Sequence, residues 1–299
     1  MKWAEAARTL RDRGVRFVRN QSLSELSTFR IGGVAELAVF PTDREELSYT
    51  LELLRRYDCP LRVIGNGSNV LFGDGLLKEA LIVTKEMSSV RWMGEELYAE
   101  SGASLSSLAI SAAERGLTGL EFLRGIPGTL GGAVVMNAGA HGGEMGQTVV
   151  ESHAYDCLSG QIVTLTDHGF GYRQSVYLSN PRLICIGARL RLSSGVRREI
   201  EERMREYTRI RRERQPLEYP SGGSYFKRPE GHFAGKLIED CGLKGYRIGN
   251  AAVSEKHAGF LINLGGATAE EVLLLEQHVR RCVLERFGVE LTREVHLIR

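Results

Sequence analysis

Cysteine is sparse in this chain, and its number is odd. Cys59, Cys157, Cys185, Cys241 and Cys282 are scattered over 299 residues. No two of them have metal-ligand spacing, which argues against a disulfide framework or a zinc site and points to a reducing cytoplasm. An excess of charge of one sign is also lacking. The formal net charge of +2 gives no general pull toward nucleic acid or an anionic membrane. No run of about 18 apolar residues occurs, so no transmembrane helix is expected. The N-terminus, Met1-Lys2-Trp3-Ala4-Glu5-Ala6-Ala7-Arg8, is charged and amphipathic, and no signal peptide is expected. Internal repeats and low-complexity tracts are absent.

What is present suits a folded enzyme. The chain is 42% hydrophobic, enough for a sizeable core in two or three compact parts. Thr42 and Glu45 fit a capping box ahead of a helix striped by Leu47, Leu51 and Leu54. Strands are expected around it at residues 35–40, 61–64 and 80–84. Hairpin-like strands follow at 90–92 and 97–100, then a helix over 105–115 stopped by Gly116. Further strands are expected at 149–155, 162–166 and 183–192. Residues 197–213 read as a charged helix with Ile200, Met204, Tyr207 and Ile210 on one face. Thr268 and Glu271 form a second capping box, Val272, Leu275, Val279 and Val283 line its stripe, and Gly288 ends it.

The strongest signal is glycine. Gly125-Ile126-Pro127-Gly128-Thr129-Leu130-Gly131-Gly132-Ala133 runs on to Met136-Asn137-Ala138-Gly139-Ala140. Five of these sixteen residues are glycine and three are alanine. Such a segment lets the backbone approach a ligand and offers it successive N–H groups. Tight turns with close helix–strand packing explain it equally well. A second cluster, Gly65-Asn66-Gly67-Ser68-Asn69-Val70-Leu71, follows a short apolar strand, an arrangement that cradles phosphate. It is neither a Walker loop, lacking Gly-Lys-Ser/Thr, nor a complete Rossmann fingerprint. Thr28-Phe29-Arg30-Ile31-Gly32-Gly33 adds an arginine beside two more glycines. Three such pieces in order suggest one extended ligand with a diphosphate.

These motifs resemble those of the UDP-N-acetylenolpyruvoylglucosamine reductases. The resemblance continues through Tyr172-Arg173, Gln215-Pro216-Leu217, Pro220-Ser221 to Lys227, Gly231-His232-Phe233-Ala234-Gly235-Lys236-Leu237-Ile238, Lys256-His257-Ala258-Gly259-Phe260 and Glu294. It covers nearly the whole chain from about Asn20. It implies an α+β protein: a two-subdomain FAD-binding fold of the vanillyl-alcohol-oxidase type plus an α/β substrate domain. The subdomains would be residues 1–84 and 85–215, the latter joined by the C-terminal strand 290–299, with substrate bound by 216–289. The short connection from Arg173 to Pro181 fits the class lacking a tyrosine-bearing loop. The implied enzyme is cytoplasmic, a monomer or weak homo-oligomer, with no nucleic-acid or membrane partner.

The resemblance also implies roles. FAD is the cofactor and NADPH the hydride donor. Gly65, Asn66, Gly67, Ser68, Asn69 and Val70 would cradle the pyrophosphate. Ile126, Pro127, Gly128, Gly131, Gly132 and Ala133 would pack on the flavin and its phosphate tail, with support from Arg30. Arg173 and Glu294 would stabilise negative charge developing on the enolpyruvyl substrate, and Ser224 would donate the proton. A glutamate suits that place only if protonated or hydrogen-bonded through a partner. Lys227, Arg211 and Tyr172 would bind the substrate. Here Thr292-Arg293 stands where the family usually has Glu-Pro, and Arg228 where many relatives have Asn. By themselves Ser224 would be a turn serine, Arg173 and Arg30 surface ion-pair partners, and Arg211, Arg212 and Arg214 a solvated helix end. His232 and His257 have no metal-ligand partners, and no metal is expected. Two rivals fit part of the pattern. One is an oxygen-dependent oxidase of the same fold; the other is a basic nucleic-acid module using residues 205–214.

Overall fold

Leu47, Leu51 and Leu54 recur at helical spacing, and Arg44–Arg56 is a helix that buries all three. It starts one residue later than Thr42 and Glu45 suggest. Asp43 is the cap, its carboxylate accepting the Glu46 N–H at 2.9 Å, while Thr42 donates its own N–H to Glu46 Oε2 at 2.9 Å. Asp caps at least as well as Thr, so the box slides by one. In this computed structural model, which describes residues 2–299, the chain forms two units. The first takes the chain up to Arg19, Leu37–Asn66 and Glu79–Ile210; the second takes Asn20–Glu36, Gly67–Lys78 and Arg211–Arg299. The compact units therefore interleave in sequence, each drawing on three stretches of the chain.

One sheet has the strand order Phe17–Ser22, Val34–Val39, Leu76–Val83, Leu61–Ile64, the last two parallel. With the leucines of Arg44–Arg56 it closes a core containing Leu10, Leu37, Val39 and Ile82. The first unit also holds a five-stranded antiparallel sheet, in the order Gln161–Leu165, Val149–Asp156, Leu183–Arg191, Glu96–Glu100, Val90–Met93. Helices Leu105–Glu114 and Leu130–Met136 lie over its apolar face and bury Leu105, Leu108, Ala109, Leu130, Ala133 and Val134 with Leu97, Ala188 and Leu190. Gly116 (φ +67) ends the first of these, as its sequence position predicts.

In the second unit, Ala269–Phe287 is the long helix expected there. Thr268 Oγ1 accepts the Glu271 N–H and Glu271 accepts the Thr268 N–H, both at 3.1 Å, so the capping box is complete. Asp74 adds a cap from a distant segment, accepting N–H bonds from Ala269 and Glu270 at 2.8 and 3.1 Å. Val272, Leu275, Val279 and Val283 are buried among Phe29, Leu71, Tyr225, Ile238 and Leu261. Each such aliphatic side chain contributes about 1.5–3 kcal/mol by leaving water. A small antiparallel sheet, Arg247–Ile248, Ala251–Val253 and Leu261–Asn263, completes the unit. The C-terminal strand corrects the sequence reading. His296–Ile298 pairs in parallel with Val70–Phe72 and does not join the sheet of residues 85–215. Leu71 and Phe72, fully buried, hold it there with Ile298.

Candidate active site

In the first unit the glycine segment divides into two kinds of position. A Cβ on Gly131 would stand 2.6 Å from Ser101 Cβ, so close packing requires glycine there. The Gly131 and Leu130 N–H groups donate to the Ser101 and Ala103 carbonyls at 2.8 and 2.9 Å. The expectation of successive exposed donors therefore fails at the segment's centre, where the amides are satisfied within the protein. Gly128 accepts the Leu105 N–H at 3.2 Å, Ala133 is buried, and Ile126 packs on the core. Gly132 is different: it is exposed, and a Cβ there would meet only Thr129 Oγ1, at 3.8 Å. Glycine inside a helix costs roughly 0.5–1 kcal/mol against alanine. No described neighbour requires glycine there, so the surface over Gly132 is bare. Thr129 Oγ1 and Ser101 Oγ, beside these glycines, are buried without a hydrogen-bond partner.

The second glycine cluster docks on the first. A Cβ on Gly65 would run into Thr129 Oγ1, and Asn66 Nδ2 donates to the Pro127 carbonyl at 2.7 Å. The N–H groups of Asn66, Gly67, Ser68 and Asn69 have no acceptor among the described residues. Gly67 turns the chain at φ +61, where a Cβ would run into the Leu26 carbonyl. A run of unspent amides around a left-handed glycine is an anion-binding nest.

Tyr172 and Arg173 form the tip of a turn closed by paired backbone bonds between Gly171 and Gln174, at 3.2 and 3.1 Å. Arg173 sits at φ +52, in the left-handed region that favours glycine. Its Nη2 donates to the Gly139 carbonyl at 3.3 Å, and its guanidinium lies 5.2 Å from the Tyr172 ring centroid. Three contacts hold this turn. Buried Asn137 donates to the Gly171 carbonyl and accepts the Gly146 N–H, both at 2.9 Å. Ser175 Oγ donates to the Val135 carbonyl at 2.6 Å. At the turn's base, buried His168 bonds Ser152 at 2.8 Å, and Ser152 bonds Tyr177 at 2.7 Å.

Burial pushes the His168 pKa below 6.5, and the Asp167 carboxylate offsets only part of that shift. Partial burial shifts His257 the same way. Below pH 6.5 the unfolded chain thus binds protons that the native state refuses, and stability rises with pH through this window. Urea unfolding is expected to show stability falling on acidification below about pH 6.5, by at most about 1.4 kcal/mol per pH unit for each histidine. His168→Gln should flatten that slope; an unchanged slope would mean that this histidine titrates alike in both states.

The second unit gathers the remaining motifs. Thr28 Oγ1 donates to the Ser221 carbonyl at 2.8 Å, and the Ser221 N–H returns a bond to Thr28 at 3.1 Å. Arg30 is exposed at φ +54, and Asn263 Nδ2 donates to the Phe29 carbonyl at 3.1 Å. Ser224 is exposed just after Gly223, itself at φ +83. The Glu294 N–H donates to the Tyr225 carbonyl at 2.8 Å, and the Lys227 N–H to the Thr292 carbonyl at 2.8 Å. Asn69 Nδ2 reaches the Glu294 carbonyl at 3.3 Å, while Val70 pairs with His296. Arg211 is half-buried with no ion-pair or hydrogen-bond partner among the described residues, and burial pushes its guanidinium below the usual range. His257 Nδ1 accepts the Gly259 N–H at 3.1 Å, a structural role. Among the described residues no three His, Cys, Asp or Glu side chains form a metal-binding group.

Two family models match the chain: an FAD binding domain over residues 35–166, and the UDP-N-acetylenolpyruvoylglucosamine reductase C-terminal domain over 215–298. The reductase of Clostridium perfringens is 45% identical over 277 residues, 92% of this chain and 91% of its own. That of Pediococcus pentosaceus is 42% identical over 286 residues, 95% of each chain. The crystal structure of the Thermus caldophilus reductase matches with a TM-score of 0.80 at 36% identity, covering 95% of this chain and 99% of that one. The chain belongs to the UDP-N-acetylenolpyruvoylglucosamine reductase family.

This reductase-family chain is an FAD-dependent oxidoreductase of α+β class, with an FAD-binding part and a distinct C-terminal domain. FAD fits the residues present in the first unit, given the unspent Asn66 amide, the bare Gly132 surface and the orphaned Thr129 and Ser101 hydroxyls. Gly132→Leu is expected to leave the apoprotein folded with a melting temperature no lower than wild type, because leucine gains helix propensity. The same variant should purify colourless. A yellow Gly132→Leu protein would place the flavin elsewhere. Asn137 and His168 were not singled out from the sequence. Their partners lie 34 and 16 residues away, and no local spacing marks them. No described helix is long and apolar enough to cross a membrane.

Proposed function

We propose that this reductase uses NADPH and FAD to reduce the enolpyruvyl group of UDP-N-acetylglucosamine-enolpyruvate, giving UDP-N-acetylmuramate for peptidoglycan precursor synthesis. The flavin, when bound, supplies hydride transfer. The protein's task is to hold the substrate, stabilise charge and move one proton. Hydride addition at the enolpyruvyl double bond builds negative charge on the adjacent carbon and its carboxylate. Arg173, with Glu294 when its carboxyl is protonated, stabilises that charge, which preorganised groups do best in a dry site. Ser224 Oγ gives its proton to that carbon. A serine hydroxyl is a weak acid, and it suffices because the charged carbon is strongly basic.

The observation that carries this reading is the bond from the Glu294 N–H to the Tyr225 carbonyl at 2.8 Å. It sets the segments that carry Ser224 and Glu294, far apart in sequence, side by side. Residues 216–289 supply the substrate-binding part. Lys227 and the unpaired Arg211 suit the diphosphate, and Tyr172 packs beside Arg173 at the far end of the reaction. Anaerobic addition of NADPH should bleach the bound flavin's visible bands. Bands indifferent to NADPH would favour the oxidase reading.

A further inference from the structure

Next to Ser224 and Glu294 lies a buried carboxylate that the reaction does not consume. Glu276, on the helix Ala269–Phe287, is 4% exposed. Its Oε2 accepts the Tyr225 hydroxyl at 2.9 Å, and Tyr225 is fully buried. Its Oε1 lies 3.4 Å from Arg293 Nε and 3.9 Å from Arg280 Nη1. Arg280 has a second carboxylate, Glu290, at 3.0 Å. Among the described residues Glu276 is the one carboxylate paired with Arg293, which also faces the Tyr225 hydroxyl, and the Arg293 Nη1 is buried without a partner. Tyr225 directly follows Ser224, and Arg293 directly precedes Glu294. Backbone pairing adds the bridge Phe226–Arg293 and the Lys227–Thr292 bond at 2.8 Å. One carboxylate thus grips the neighbour of each residue.

We infer that Glu276 is a positioning residue: through Tyr225 and Arg293 it fixes the segment of Ser224 against the segment of Glu294, and so sets the geometry of proton delivery to the substrate. This rests on the proposed roles of Ser224 and Glu294. Burying a carboxylate and a guanidinium is weak evidence of stabilisation in itself, because apolar replacements of such groups are often neutral or stabilising. What the arrangement fixes is orientation. Leu and Phe could fill the same volume without dictating which hydroxyl meets which carboxylate. A misplacement of about 1 Å at a reacting group can cost on the order of 100-fold in rate.

The test separates rate from stability. Three proteins are compared with wild type as holoenzymes: Ser224→Ala, Tyr225→Phe, and the triple variant Tyr225→Phe/Glu276→Leu/Arg293→Leu, which removes the whole buried network and leaves no orphan charge. Stopped-flow spectra report flavin reduction by NADPH and, separately, reoxidation by the enolpyruvyl sugar nucleotide; melting temperatures report the fold. The inference expects near-wild-type reduction throughout. It expects reoxidation slowed about 10-fold in Tyr225→Phe and about 100-fold in the triple variant, even where the melting temperature is unchanged. Wild-type reoxidation in both network variants, with Ser224→Ala slow, overturns the inference alone. Wild-type reoxidation in Ser224→Ala overturns the underlying reading as well. Should the triple variant fail to fold, Tyr225→Phe, which loses one hydroxyl, decides: slow reoxidation supports the inference and a wild-type rate overturns it.

Discussion

Ser224→Ala is expected to leave flavin reduction by NADPH at the wild-type rate and to slow reoxidation by the enolpyruvyl substrate by about 10²–10⁴-fold, the span of general-acid catalysis. The split between half-reactions is the informative part. Ser224 is exposed in a bend whose following residues carry the packing, with Tyr225 and Phe226 both buried. Removing one hydroxyl from an exposed position alters no core contact, so stability should stay within about 0.5 kcal/mol of wild type. Equal losses in both half-reactions would mean that the substitution disturbs the flavin site, and the proton-donor role would fall.

The second large effect is expected at Arg173. Replacing it with glycine removes the cation proposed to face the developing charge, and the substrate half-reaction should fall by about 10²–10³-fold. Backbone considerations pull the other way on stability. A non-glycine residue held in the left-handed region costs roughly 1–2 kcal/mol, which glycine relieves. Glycine gives back about 0.4–1 kcal/mol through the greater freedom of the unfolded chain. The variant also loses the 3.3 Å bond to Gly139. Stability should therefore remain within about 1 kcal/mol of wild type while activity collapses. A turn that exists only for structure gives the opposite result, with lower stability and retained turnover.

Much of the architecture was legible because it is local. The Thr268–Glu271 box, the stripe from Val272 to Val283 and Gly288 specify the long C-terminal helix within its own sequence. The exchange of Thr42 for Asp43 as a cap shows the limit of that legibility, since adjacent residues compete for one role. The glycine motifs mark where the backbone is bare or closely packed, but not which of its amides are spent within the protein. Gly131 has its N–H satisfied by Ser101, a partner 30 residues away, whereas those of 66–69 have none. The return of the last strand to Val70–Phe72 rests on non-local pairing, which periodicity does not encode. The Glu276 grip on Tyr225 is equally non-local, across 51 residues. On sequence pattern alone, Glu276 is one more charged residue on an amphipathic helix.

The central claim is that electrons pass from NADPH to the enolpyruvyl group through the bound flavin. The most direct measurement adds one equivalent of UDP-N-acetylglucosamine-enolpyruvate, without oxygen, to enzyme bleached by one equivalent of NADPH. The account predicts that the oxidised flavin spectrum returns and that one equivalent of UDP-N-acetylmuramate forms. A spectrum that stays bleached until oxygen is admitted, with the sugar nucleotide unchanged, would contradict it.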